Sequence, residues 1–285
     1  MFKTIVFSAF GAALAICLSV TVLQLATTEP LILHAEEFEG AAPAHDHGPA
    51  ASVPHTSVVP AKAGIHASGP AMAHQMDSGF RRNDAVGEAT LIHAAFAAEE
   101  VSVWLVHDTA AAGEAEEWAP ADGIERTLFT GLANLVIGFA ISLMLVGVMV
   151  LKGDPIDARR GLLWGVAGFA AVSLLPALGL PPELPGTPAA DIADRQLWWL
   201  LTAAASAGGI GLMVFGRNWG VIAGGLALVI APHFIGAPVP PSHDVSYPGA
   251  LAGEFVVASL VVSAVLWSVA GLVSGALYRR FSASA

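Results

Sequence analysis

The sequence predicts an all-α integral membrane protein with about six transmembrane helices, five being possible, and one long outer loop. Three observations carry that expectation. The 285 residues are 55% hydrophobic and only 12% charged, where a soluble domain carries about a quarter charged residues. The apolar residues gather into runs of membrane length, about 20 residues each. The basic residues beside those runs alternate in the way that successive membrane crossings require.

Net charge and cysteine count narrow the class further. A formal charge of −11 argues against a nucleic-acid partner and favours attraction of cations. The single cysteine, Cys17, lies inside an apolar run, which excludes a disulfide framework and a thiolate metal cluster.

The first element, residues 1–26, holds an apolar run from about Ile5 to Leu25 after Lys3. Its length suits a retained membrane anchor. A cleaved signal peptide competes, but its apolar core is usually about 7–15 residues and precedes a small-x-small site, and neither feature fits here.

Residues 27–125 have a different composition. Eight of the ten histidines fall in this loop: His34, His45, His47, His55, His66, His74, His93 and His107. Carboxylates collect at both of its ends, and Ala, Pro and Gly fill the middle, where no helical or alternating period is sustained. That composition reads as disorder. Within it, Val59-Pro-Ala-Lys-Ala-Gly-Ile-His66 and Met76-Asp-Ser-Gly-Phe-Arg-Arg-Asn-Asp84 resemble the peptide encoded by an intergenic palindromic repeat translated in frame. Residues 58–84 are therefore expected to be an insertion, tolerated because loop-closure entropy rises slowly with length.

Residues 126–285 form the expected membrane bundle. Its apolar segments are about Leu128–Leu151, Leu162–Leu180, Leu197–Phe215, Trp219–Ile235 and Leu251–Leu277. The fifth span, Trp219–Ile235, is short and interrupted by Pro232, which suits a tilted or early-ending helix; the count is six spans, or five if this segment is re-entrant or the first is removed. With the N-terminus inside, Lys3, Lys152, Arg159, Arg160, Arg217, Arg279 and Arg280 all fall on the cytoplasmic side. Only Arg126 and Arg195 lie near the membrane on the other. Gly271-x-x-x-Gly275 and the glycines at 208, 209, 211, 220, 224 and 225 lie at helix-packing spacing and are expected to mark close helix approaches.

Polar groups collect at the expected outer ends of the spans. Glu29 and His34 follow the first span, and Asp122, Glu125 and Arg126 precede the second. His233 closes the fifth and Glu254 opens the sixth. Ionisable groups beside spans are costly unless paired or hydrated, which makes them candidates for handling a cation. Each has a plainer reading. Glu254 could pair with Arg126 or Arg195, His233 could cap a helix end, and Asp122 and Glu125 could favour a helix start. In the loop, His45-Asp46-His47 offers imidazole and carboxylate, ligand types that suit Co, Ni, Zn or Cu(II), although the spacing fits no closed site. The candidate metal ligands are thus Glu29, His34, His45, His47, Asp122, Glu125, His233 and Glu254. No Walker loop, nucleophile elbow or HExxH helix is present, so no enzyme and no bound cofactor is expected.

Six segments together carry a resemblance. They are Glu29-Pro-Leu-Ile-Leu33, Glu117-Trp-Ala-Pro-Ala-Asp-Gly-Ile-Glu-Arg126, Pro176-Ala-Leu-Gly-Leu-Pro-Pro-Glu-Leu-Pro-Gly186, Ala189-Ala-Asp-Ile-Ala-Asp-Arg-Gln-Leu-Trp-Trp199, Pro232-His-Phe-Ile-Gly-Ala-Pro238 and Glu254-Phe-Val-Val-Ala-Ser259. With them the chain resembles the CbtA family, described as predicted cobalt transporter subunits. The resemblance implies a membrane subunit for Co²⁺ uptake serving cobalamin synthesis, with the small single-span, His-containing protein CbtB as its partner. It also implies five spans where the segments above count six. The alternative function is a non-conducting, metal-capturing accessory of another transporter, because the span centres are almost wholly apolar.

Overall fold

The computed structural model describes residues 2–41, 120–121 and 123–283. The loop histidines His45 and His47, the repeat-like insertion and Asp122 lie outside the described residues. The described residues hold seven helices: α1 (Phe2–Ala26), α2 (Thr28–Ala41), α3 (Ile124–Lys152), α4 (Ala158–Ala177), α5 (Ile192–Phe215), α6 (Trp219–Ile235) and α7 (Gly249–Ala283).

Five of these, α1, α3, α4, α5 and α7, are long and apolar enough to cross a membrane, and α6 is a shorter apolar helix of 17 residues. The segment α2, expected to be part of the loop, is instead a 14-residue helix that follows α1 after a turn at Thr27. Its Leu31, Ile32, Ala35 and Phe38 recur at helical spacing and give it one apolar side to bury.

Local chemistry sets the helix ends. Asp157 caps α4 by accepting from the Arg160 backbone N–H at 3.0 Å, and this bond holds its carboxyl below the usual carboxylate range. Asp191 caps α5 by accepting from Ala193 and Asp194, and Asn218 caps α6 by accepting from Val221. Gly153 ends α3 at φ 80°, a left-handed conformation that a side chain disfavours.

The core is built on α1, α3 and α7, which contribute Ile16, Val20, Val146, Met149, Trp267 and Ala270. On its other side α7 takes α4 at backbone contact. A Cβ on Gly161 would stand 2.0 Å from the Gly271 carbonyl oxygen, and one on Gly165 would stand 2.2 Å from that of Trp267. Thus Gly271 and Gly275 serve packing within the chain, against α4. The pair α5–α6 is a tight hairpin with Gly209 on Gly225, attached to the bundle through the middle of α4.

That middle is a π-helical turn, Ala170–Leu174, in which the Leu175 N–H reaches back to the Ala170 carbonyl. Pro176 explains it: a proline inside a helix has no N–H and its ring presses on the carbonyl four residues earlier. One extra residue in the turn relieves that clash and keeps the helix continuous.

Contacts along the helices fix their directions. Asn134 meets Thr21 and Gln24 while Gly138 meets Ile16, so α3 runs antiparallel to α1. Gly161 meets Gly271 and Gly165 meets Trp267, so α4 and α7 are antiparallel. Gly209 meets Gly225 while Trp198 meets His233, so α6 runs back along α5 almost to its start. The six apolar helices therefore alternate in direction. The start of α1, the end of α7, the 153–157 turn and the 216–218 turn share one end of the bundle. The helix α2, residues 178–191 and residues 236–248 share the other. Five of the six apolar helices are of crossing length, and α6, at 17 residues, stands at the lower limit for a crossing of about 17 residues.

Candidate functional site

The end carrying α2 is held together by a second, smaller core. Ala35 of α2, Leu184 from the 178–191 segment, Tyr247 from the 236–248 segment and Leu251 of α7 are buried there together. The Tyr247 hydroxyl bonds Thr187, and Thr187 donates to the Leu184 carbonyl at 2.6 Å. Two ion pairs add to it. Arg126 meets Glu36 at 3.1 Å, joining α3 to α2, and Arg195 meets Glu183 at 2.7 Å, joining α5 to the 178–191 segment. The two arginines near this rim are thus matched by carboxylates other than Glu254.

Of the candidate ligands, Glu29 is half-buried in the first turn of α2, where the helix dipole favours a carboxylate. His34 is exposed with its ring 5.4 Å from that of Phe38. Glu125 is exposed in the first turn of α3. Glu254 is exposed on α7 and makes no ion pair among the described residues. His233 is half-buried in the last turn of α6, its ring edge-on to Trp198 at 6.0 Å. These five share one end of the bundle but sit on four helices. Among the described residues, no three His, Cys, Asp or Glu side chains come close enough to hold one metal ion. Among the described residues the arrangement is a spread of carboxylates and imidazoles rather than a closed coordination shell.

The interior holds polar groups outside the candidate ligand set. Asn134, almost fully buried, donates to Thr21 Oγ1 at 2.9 Å and to Gln24 Oε1 at 2.6 Å, and Cys17 donates to the Gly131 carbonyl at 3.2 Å. These bonds tie α1 to α3 below the rim. On α5, Trp198, Thr202 and Ser206 follow one another at four-residue spacing, so they stack along one side. Trp198 Nε1, Thr202 Oγ1, Ser206 Oγ and the facing His233 Nε2 are all buried without a hydrogen-bond partner among the described residues. Unpaired buried polar atoms are uncommon enough to need a reason. They form a polar column that starts at His233 and enters the span. The spacing in Trp198-x-x-x-Thr202-x-x-x-Ser206 was the available signal for it.

The two polar sets respond oppositely to substitution. Asn134→Leu is expected to cost about 1–2 kcal/mol, because it leaves Thr21 and Gln24 without their interhelical donor. Thr202→Val removes a hydroxyl with no hydrogen-bond partner among the described residues, so unfolding in detergent should show it neutral or stabilising.

A family model described as probable cobalt transporter subunit (CbtA) matches residues 2–279. No curated protein and no solved structure matches the chain. The family match runs through all seven helices, including the rim with His233 and Glu254, and the chain belongs to the CbtA family of probable cobalt transporter subunits.

Proposed function

We propose that this chain is the membrane subunit through which Co²⁺ is taken up across a bacterial inner membrane, serving cobalamin synthesis. Both termini lie in the cytoplasm and the long His-rich loop faces the periplasm. The role is transport rather than catalysis, with the ion as cargo. The loop residues His45 and His47 gather cations weakly, and Glu29, His34, Asp122, Glu125, His233 and Glu254 receive them at the rim. The partner is CbtB.

The observation that carries this reading is the charge difference between the two ends of the bundle. Lys3, Lys152, Arg159, Arg160, Arg217, Arg279 and Arg280 lie at one end. The other end has Arg126 and Arg195 against a surplus of carboxylates that includes Glu29, Glu37, Glu125 and Glu254. The positive-inside rule makes the first end cytoplasmic, so the acidic rim with His233 meets ions from outside. Imidazole and carboxylate together suit a borderline divalent ion such as Co²⁺ without selecting it over its neighbours.

A second reading has its own support. No Asp, Glu, Lys or Arg lies within the middle turns of the spans, so the chain could act as a non-conducting, metal-capturing accessory whose partner supplies the path.

The test is uptake of labelled Co²⁺ in cells lacking their own cobalt importers, expressing this protein alone, with CbtB, or as a Glu254→Gln, His233→Ala double variant. Uptake that the double variant loses by at least about tenfold at sub-saturating Co²⁺ supports the rim route. Membrane-inserted protein that gives no uptake in any combination rejects it. Transport by the purified protein in liposomes separates the conducting from the accessory reading.

A further inference from the structure

At the basic end of the bundle, a cavity of about 560 Å³ opens between α3, α4 and α5. It exists because α4 is drawn onto α7 by the glycine contacts while α5 is held by α6 and the π turn, which leaves a wedge between α3 and α5. Its wall is apolar, with Leu145, Met149, Leu163, Ile210 and Val214, and Trp267 and Val172 form its floor. From Lys152 to Leu145 it runs seven residues along α3, about 10 Å at 1.5 Å per residue, which lies within one leaflet of a membrane core about 30 Å thick.

The mouth differs in chemistry from the wall. Lys152, Asp154 and Arg160 line it, and the rings of Trp164 and Phe215 meet beside them at 6.2 Å. The Lys152 ammonium sits 4.6 Å over the Phe215 ring and bonds Asp154 at 2.7 Å, which holds the Asp154 carboxyl below its usual range. Arg160 donates to the Pro155 carbonyl at 2.7 Å and makes no ion pair among the described residues. Arg159 adjoins it. The rim is therefore net positive, with guanidinium donors still available.

An apolar, leaflet-deep cavity is a poor place for water or a divalent ion, and a cationic, aromatic rim at the cytoplasmic boundary fits an anionic headgroup. We propose that this cavity is a binding site for one anionic phospholipid of the inner leaflet. An acyl chain lies between α3 and α5 down to Trp267, and the headgroup phosphate accepts from Arg160 and Lys152. The bound chain completes the packing between α3 and α5, so the lipid acts as a wedge that sets the spacing of the α5–α6 hairpin from the core.

Native mass spectrometry of the full-length protein, delipidated and then given phosphatidylglycerol or phosphatidylcholine of matched acyl chains, tests this. One phosphatidylglycerol should survive per chain under activation that strips phosphatidylcholine. Each basic residue near the membrane surface contributes about a fivefold preference, so Lys152→Gln with Arg160→Gln should lower the phosphatidylglycerol affinity by about 25-fold and leave phosphatidylcholine unchanged. Gly211→Leu fills the cavity without strain, because a Cβ there meets nothing within 4 Å, and should abolish retention while the melting temperature holds. Ala207→Phe provides a second filling variant on the same wall. Equal retention of the two lipids, undiminished retention in both filling variants, or displacement of the lipid by a copurified membrane protein seated between α3 and α5 would each overturn the proposal.

Discussion

Gly271→Val is expected to prevent α4 from docking on α7 and to leave little folded protein in the membrane. The clash is with backbone, which cannot rotate away. A Cβ on Gly271 would stand 2.1 Å from the Gly161 carbonyl oxygen and 3.0 Å from the Gly165 nitrogen. Relief requires the helices to separate by more than an ångström along a seam where Gly161, Gly165, Gly271 and Gly275 all interlock. Overpacking in a well-filled interior costs about 1–3 kcal/mol, and here no side chain can yield, so about 3 kcal/mol or more is expected. In a bilayer no hydrophobic force pulls α4 back, since lipid solvates its apolar surface as well as α7 does. Denaturant titration in mixed micelles measures the loss. Gly147→Val, on a surface where a Cβ meets nothing within 4 Å, is the matched control and should behave as wild type.

The second large effect concerns α6. A Cβ on Gly225 would stand 2.7 Å from the Gly209 carbonyl oxygen and 3.0 Å from side-chain carbons of Leu212 and Met213, so Gly225→Val should push α6 off α5 at a cost of about 2 kcal/mol. At 17 residues α6 has little hydrophobic length in reserve, and its place depends on this seam more than on its own partitioning. The consequence should be felt at the far end of the hairpin. There Trp198 packs under His233 and, with Ala237, against Gly179. A cysteine placed at Ala237 in a Cys17→Ala background should become markedly more reactive to a thiol reagent in the Gly225→Val variant. Unchanged labelling would mean that α6 is anchored by the membrane itself. Because His233 travels with α6, the same variant should also weaken Co²⁺ uptake if His233 handles the ion.

How much of this was legible beforehand can be judged residue by residue. The apolar helices and their alternation follow from runs of apolar residues and the placement of Lys152, Arg159, Arg160, Arg217, Arg279 and Arg280, while the expected six crossings meet five helices of spanning length and one shorter one. Both signals are local along the chain, and the membrane converts them directly into geometry. The family, too, was legible, since its six segments are stretches of contiguous sequence. The short sixth helix was visible as Trp219–Ile235, but whether it pairs with α5 along its length was not.

What the chain alone left open depended on partners distant in sequence. Arg126 takes Glu36, 90 positions away, and Arg195 takes Glu183, so Glu254 stays unpaired among the described residues. The choice between ligand, ion pair and cap for Glu254 and His233 was a question about neighbours, and composition carries no information on those. The π turn in α4 needed the backbone as well: Pro176 announced a disturbance, but a kink, a break and an extra residue are all ways to relieve it. The cavity below Lys152 arises only because α4 is pulled to α7 and α5 to α6. Sequence determined the class, the apolar helices and the sign of each end, since solvation acts on each residue separately. Which polar groups are matched, which are left over, and where the bundle has room were decided by packing, where each helix answers to several others at once.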